Sequence, residues 1–198
     1  VSRLGHPRRM LTPSFKNPPR TDGAGREFDL RDVFTTKGLY GDLDGDSIPD
    51  TIEGRIVAPS SEAVRGIAPL ASRLVLQTAG SMFPLVYLDS EIEFRKSVVA
   101  PILVGSNALT RELERVGKLS FPELENAFGI IRAVPRAFNK SSALVVAGAD
   151  SLGLDRTLGY LSSTFPYFDE RGDGRPRLDE AAADLERFFK GEKGAAEA

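Results

Sequence analysis

The run DLDGDSIPDTIE, residues 42–53, places acidic side chains at Asp42, Asp44, Asp46 and Asp50 and closes on Glu53. Counted from Asp42, these are positions 1, 3, 5, 9 and 12 of a twelve-residue loop. Calcium takes about six to eight hard oxygen ligands, and alternate carboxylates in a tight loop can wrap one ion. The candidate metal ligands are therefore Asp42, Asp44, Asp46, Asp50 and Glu53, with Ile48 at position 7 offering its backbone carbonyl. Glu53 can bind through both oxygens. Carboxylates this close repel one another, and a divalent cation removes that repulsion. The bland alternative is a solvated acidic turn, since Asp, Gly, Ser and Pro are ordinary turn residues. Alternate spacing followed by an acid at position 12 favours Ca2+.

Other chemistry is thinly supplied. The one histidine, His6, stands in a Pro- and Arg-rich stretch, which argues against a Ser–His–acid triad and against a zinc site. There is no cysteine, so disulfides, thiolate metal sites and a thiol nucleophile are excluded. Carboxylate pairs for glycosidase-type chemistry exist on paper, Asp89 with Glu91 and Glu93, or Asp150 with Asp155. Nothing in the spacing sets either pair across a cleft. Two strand–Gly–helix turns, at Gly105 and Gly148, would present free helix amides to an anion, and Ser106, Asn107 and Asp150 are the candidate ligand-binding side chains there. Neither turn carries a GxGxxG or phosphate-loop pattern. A second acidic turn, residues 169–180, reads as a surface turn and helix cap. A loop register with Asp169, Asp173 and Glu180 as ligands puts Arg171 and Arg177 on ligand positions.

The elements that must position these groups follow from apolar periodicity. Residues 1–27 have no apolar period and read as an extended arm, with 28–34 (FDLRDVF) the first stretch able to pack. Residues 51–58 read as a strand. Residues 61–79 show helical spacing through Val64, Ile67, Ala71, Leu74 and Val75, and Pro69 either kinks that helix or marks its first turn. Strands are expected at 85–88, 91–95, 101–104, 129–134 and 143–147, the last apolar throughout, as a strand covered on both faces must be. A helix carries Leu109, Leu113 and Val116 on one face and stops at Gly117. Another runs on Leu154, Leu158, Leu161 and Phe165, capped by Asp150 and ended by Pro166. The last is capped near Asp179 and packs Ala182, Leu185, Phe188 and Phe189. The predicted fold is α/β, a mixed, mostly parallel sheet flanked by helices. The boundaries are an arm at 1–41, a calcium loop at 42–53, one α/β domain at 51–190, and a tail or linker at 191–198.

Composition fits a folded domain, with 41% hydrophobic and 27% charged residues. Lys+Arg 26 against Asp+Glu 28 gives a net charge of −2, which favours neither nucleic acid nor an anionic membrane surface. No apolar run approaches the ~20 residues that span a bilayer. Trp is absent and Tyr is only 4, thin for a sugar-stacking platform. Weak calcium sites fill outside cells, so the loop suggests a secreted, periplasmic or cell-surface setting. Opening on Val1 rather than Met suits a processed secreted protein or a shortened piece.

The register of residues 42–53 resembles the calcium loops of thrombospondin type 3 repeats, whose pattern is DxDGDGxPDxxE. The resemblance implies ligands at Asp42, Asp44, Asp46, Ile48, Asp50 and Glu53. Ser47 departs from it, standing where that pattern has Gly for a sharp bend. PILVG (101–105), the stretch 129–161 and the βα start at 51–75 resemble the non-catalytic α/β domain that precedes the barrel in many glycoside hydrolases. That resemblance implies fold and a secreted setting, and no catalytic residue. The first functional reading is thus a secreted, calcium-binding, non-catalytic module of a larger extracellular hydrolase or assembly. Its partners would be a protein or further domains of the same polypeptide, with carbohydrate as a further candidate. The second is a structural subunit of an extracellular surface or filamentous assembly that makes contacts through its N-terminal arm. The third is a small carboxylate-dependent glycoside hydrolase.

Overall fold

PILV and SSALVVAG have apolar side chains at successive positions, so both faces of their strands must be covered. A computed structural model of the protein describes residues 25–80, 83–92, 99–138, 140–165 and 177–191. In chain order these form β1 (Tyr40–Gly41), β2 (Thr51–Ile52), β3 (Arg55–Ala58), α1 (Ile67–Leu76), β4 (Val86–Leu88), a 3-10 turn (Asp89–Glu91), β5 (Pro101–Val104), α2 (Ala108–Arg115), β6 (Gly129–Phe138), β7 (Ser141–Gly148), α3 (Ser151–Ser163) and α4 (Leu178–Phe189). β1 and β2 pair as a small antiparallel ribbon. The other five strands make one sheet of order β4-β3-β5-β7-β6. All its pairings are parallel except the β6–β7 hairpin. The fold is α/β, on a mixed, mostly parallel sheet flanked by helices.

Alternation along the strands sorts the core into two layers. Ile56, Ile102, Val104, Leu144 and Val146 point to one face, where Leu70 and Leu74 of α1, Leu158 and Leu161 of α3 and Leu185 of α4 close over them. Val57, Leu103 and Val145 point to the other, under Leu109 and Leu113 of α2 and Leu119 of the following loop. Each fully buried side chain of this kind contributes about 1.5–3 kcal/mol. Gly66 lets α1 and α3 approach, because a Cβ there would lie 2.5 Å from Leu158 Cβ. Buried Arg73 ties the same pair of helices. Its Nη1 donates to Leu161 O and Phe165 O, both at 2.6 Å, satisfying carbonyls at the end of α3.

Several boundaries differ from the sequence reading. Phe28, Val33, Phe34, Leu39 and Tyr40 are buried, so packed structure begins ahead of the acidic loop and not at residue 42. Their spacing follows irregular turns, which no simple period reveals. The strand expected over 51–58 is broken at Glu53 and Gly54. α1 starts at Ile67, and Pro69 sits in its first turn, where a missing N–H has no helical acceptor to lose. Glu91 lies in the 3-10 turn and not in a strand, because its Oε2 accepts the Leu88 amide at 2.9 Å. Val116 is 45% exposed, past the end of α2. β6 runs on to Phe138 through a bulge between Val134 and Phe138. α4 is capped by the backbone of Arg177, with Asp179 inside the first turn, and Ala181 is buried while Ala182 faces solvent. The arm over 1–24, His6, Glu93 and the rest of the strand expected to residue 95, Pro166, most of the 169–180 turn and the tail from 192 lie outside the described residues.

Candidate functional site

The acidic loop leaves β1 and returns into β2, so the ribbon brings its two ends together: the Asp50 amide donates to Gly41 O at 2.8 Å. Within the loop the carboxylates are held by main-chain amides. Asp42 Oδ1 accepts from Gly45 N at 2.7 Å and its Oδ2 from Ser47 N at 3.1 Å. Asp50 Oδ2 accepts from Leu43 N at 2.6 Å, folding position 9 back over position 2. Asp44 accepts from Asp46 N at 3.2 Å, and Asp46 from Ile48 N at 2.7 Å. Gly45 and Ser47 both take left-handed backbone, at φ +81 and +67. The bend assigned to position 6 is therefore made there, by a serine, at a cost on the order of 1–2 kcal/mol.

Among the described residues, Asp42, Asp44 and Asp50 form a group in which one carboxylate oxygen from each lies within 4.8 Å of the other two. Two oxygens on one Ca2+, each about 2.3–2.6 Å from it, can be at most ~5 Å apart, so this group fits a single such ion. Asp46 and Glu53 are not part of it. Asp46 is aimed at the Ile48 amide. Glu53 turns toward Thr51, whose Oγ1 lies 3.2 Å from its Oε1, and toward Arg26, 3.9 Å away. Arg26 was missed by the sequence reading. Its Nη1 donates to Thr36 O, Gly38 O and Tyr40 O, pinning the chain that enters the loop.

The carboxyl ends of the parallel strands are where α/β folds hold ligands, in the crevice where strand order reverses. Here that crevice lies between β3 and β5, and Asn107 fills it. The residue is fully buried. Its Nδ2 donates to Val57 O of β3 at 3.3 Å and Val104 O of β5 at 3.1 Å. Its Oδ1 caps α2 by accepting from Leu109 N and Thr110 N, both at 2.9 Å. Buried Asp89 lies beside it, accepting from Ser60 N at 2.8 Å and Ala108 N at 2.7 Å, with Arg111 4.0 Å away. Burial raises the Asp89 pKa. The hydrogen bonds from Ser60 and Ala108 and the Arg111 charge together outweigh it and hold the carboxyl below its ordinary value.

Ser106 is exposed, near Arg111. Asp150 caps α3 through Gly153 N at 2.7 Å and anchors the preceding loop through Ala127 N at 3.0 Å. Those amides, Gly153 first, lower its pKa. Ser106, Asn107 and Asp150 thus sit at turns as expected, but Asn107 and Asp150 have structural partners. Both members of the Asp89–Glu91 pair are engaged, Asp89 by the Ser60 and Ala108 amides and Glu91 by the Leu88 amide, and Asp150 of the Asp150–Asp155 pair is a helix cap.

Residues 49–157 match the S-layer like family, outer domain, just over half of the 198 residues. The matched span opens near the end of the acidic loop and takes in β2 through the middle of α3. No curated protein matches the chain.

Proposed function

The chain belongs to the S-layer like family, through its outer domain, and from that premise we propose that it is a structural subunit of an extracellular surface assembly. This is the second of the readings the sequence admits. The first, an accessory module beside a hydrolase, draws nothing from the family match. The single observation that carries the proposal is that match, extending over the five-stranded sheet, α1, α2 and the first half of α3 rather than one short motif. The filled crevice between β3 and β5 agrees with it, since Asn107 and Asp89 tie strands and helices where a substrate would otherwise sit. In this reading the protein does no chemistry of its own.

Two finer features complete the proposal. The acidic loop binds Ca2+ through Asp42, Asp44 and Asp50, which stiffens the entry to the domain. Residues 1–24 make contacts between copies. Bound metal stabilises the state that binds it by mass action. The test is sedimentation and electron microscopy of the full chain over a concentration series, with millimolar Ca2+ or with EDTA, beside the same chain lacking residues 1–24. The expected result is ordered, concentration-dependent assembly that Ca2+ promotes and the deletion abolishes. A full chain that stays monomeric at every concentration with Ca2+ present overturns the assembly reading.

A further inference from the structure

We propose that the aromatic groove beside α3 and α4 binds a small organic anion with a flat ring body, of the aryl carboxylate or aryl sulfonate class. The proposal goes beyond the assembly reading and does not depend on it. The groove holds about 490 Å³ and is lined by Leu30, Ile131, Arg156, Tyr160, Phe165 and Phe188, among others. That volume falls within the ~300–1,000 Å³ of small-ligand pockets, which are apolar with a few placed polar groups. Its floor reaches the core, since Phe165 is 3% exposed and Thr157 is buried.

Two features of the walls specify the ligand. One is ring chemistry. The Tyr160 and Phe165 rings stack with centroids 5.9 Å apart, Phe188 meets Phe165 edge-on at 4.9 Å, and Phe189 meets Phe188 edge-on at 5.4 Å. These contacts join α3 to α4, yet they leave the space beside them open. Aromatic walls add stacked and edge-on contacts to the burial of a ring. A rigid ring also loses less conformational freedom on binding than a flexible chain does. The Thr157 hydroxyl donates to Gly153 O at 2.7 Å, so its hydrogen is spent within α3 and the floor suits an apolar body.

The other feature is charge. Arg156 lines the groove. Arg31 follows the lining residue Leu30 and stands over the ring of the lining residue Phe189, its Cζ 5.9 Å from the centroid. Both arginines are exposed. Among the described residues, neither guanidinium takes part in an ion pair or a hydrogen bond. The carboxylates beside them are tied to main-chain amides. Asp29 accepts from Arg31 N at 2.7 Å, and Asp150, whose charge reaches Arg156, accepts from Gly153 N and Ala127 N. Two uncommitted cations at the margin of an aromatic space match an anionic group on an aromatic body. Exposed ion pairs are individually weak. Together the two are expected to favour an anion about tenfold, ~1.4 kcal/mol, over a neutral ring system of the same shape.

Anilinonaphthalene sulfonate and N-phenylnaphthylamine share one ring body and differ by the sulfonate, so they are the probes. Each is titrated by fluorescence against the full chain in EDTA at high dilution, so that assembly plays no part. We expect one saturable site per chain, with the sulfonate bound about tenfold more tightly than the amine. Arg31→Gln and Arg156→Gln should each remove part of that preference and together all of it, with binding of the neutral amine unchanged and the circular dichroism spectrum intact. Equal binding of the two probes by the wild type, or a preference that survives the double substitution, overturns the inference. Unsaturable binding of several dyes per chain does the same, as adsorption to the surface. Naphthoate should displace the bound sulfonate at least tenfold better than dodecanoate. If dodecanoate displaces it as well or better, the groove takes a lipid-like chain and the ring assignment fails.

Discussion

Asp44→Asn should act with opposite signs in the absence and presence of calcium. The Asp44 carboxylate lies within 4.8 Å of those of Asp42 and Asp50. At that distance two unit charges in a water-like dielectric repel by ~0.9 kcal/mol, so two pairs amount to ~1.7 kcal/mol. Physiological salt, with a Debye length of about 8 Å, reduces this to roughly 1 kcal/mol. Asparagine keeps the oxygen that accepts the Asp46 amide, so the substitution removes charge and little else. In EDTA the variant should melt about 2–4 °C above the wild type, and further above it at low salt. With Ca2+ the order should invert. A site of extracellular strength, Kd ~10⁻⁴ M, gives the wild type about 2.7 kcal/mol at hundredfold excess, and the variant should lose most of that gain. The assay is thermal unfolding by circular dichroism in EDTA and in Ca2+, at two salt concentrations. A variant no more stable than wild type in EDTA would show that these carboxylates do not repel as placed. An equal Ca2+ shift in both proteins would remove the loop from any metal account.

Asn107→Ala should destabilise by about 2–4 kcal/mol, since it removes a helix cap and leaves buried amides and carbonyls unpaired. Asn107→Asp separates the parts, keeping the cap acceptor but setting a carboxylate against Val57 O and Val104 O. If chemical denaturation finds Asn107→Asp as stable as wild type, the strand tie contributes nothing. The Asp89 pKa is lower in the folded state, so its contribution is fully present above the unfolded value of ~3.9 and is lost as pH falls through the folded value. Asp89→Asn should therefore be less stable than wild type at pH 7, with the difference shrinking below about pH 4. Denaturant midpoints for both proteins across pH 3–7 check this, and a gap independent of pH would contradict it.

Local grammar made most of the sheet legible. Apolar runs ending in Gly and followed by an amphipathic stretch marked β5–α2 and β7–α3 in the chain. Asp150 was assigned as a cap on that pattern and is one. What stayed hidden depends on partners distant in sequence. Arg26 bonds carbonyls 10 to 14 residues on, while its own backbone meets Ser141 and Ser142 across more than a hundred residues. Arg73 serves the end of α3 from 88 residues away. Asp89 joins Ser60 to Ala108, and its role exists only once β3, β4 and α2 are adjacent. The acidic loop was partly legible: spacing brought out the cluster of Asp42, Asp44 and Asp50. The turn of Glu53 toward Arg26 follows from tertiary packing that no register encodes.

How a subunit of this shape would join its neighbours is narrowed by its sheet edge. β6 is an edge strand, and open edges invite pairing with another chain. Its second half is guarded. Pro135 offers no amide, Arg136 sits in the bulge at φ +49, and Lys118 Nζ occupies Arg136 O and Ala137 O at 2.6 and 3.2 Å. Strand addition along the second half of β6 is therefore blocked, while the side-chain surface at its first residues is apolar and rimmed by an exposed Phe128. A contact that joins two different surfaces is heterologous, and heterologous contacts that do not close into a ring extend without limit, whereas a self-complementary patch alone stops at a dimer. The assembly proposed above therefore calls for the first kind.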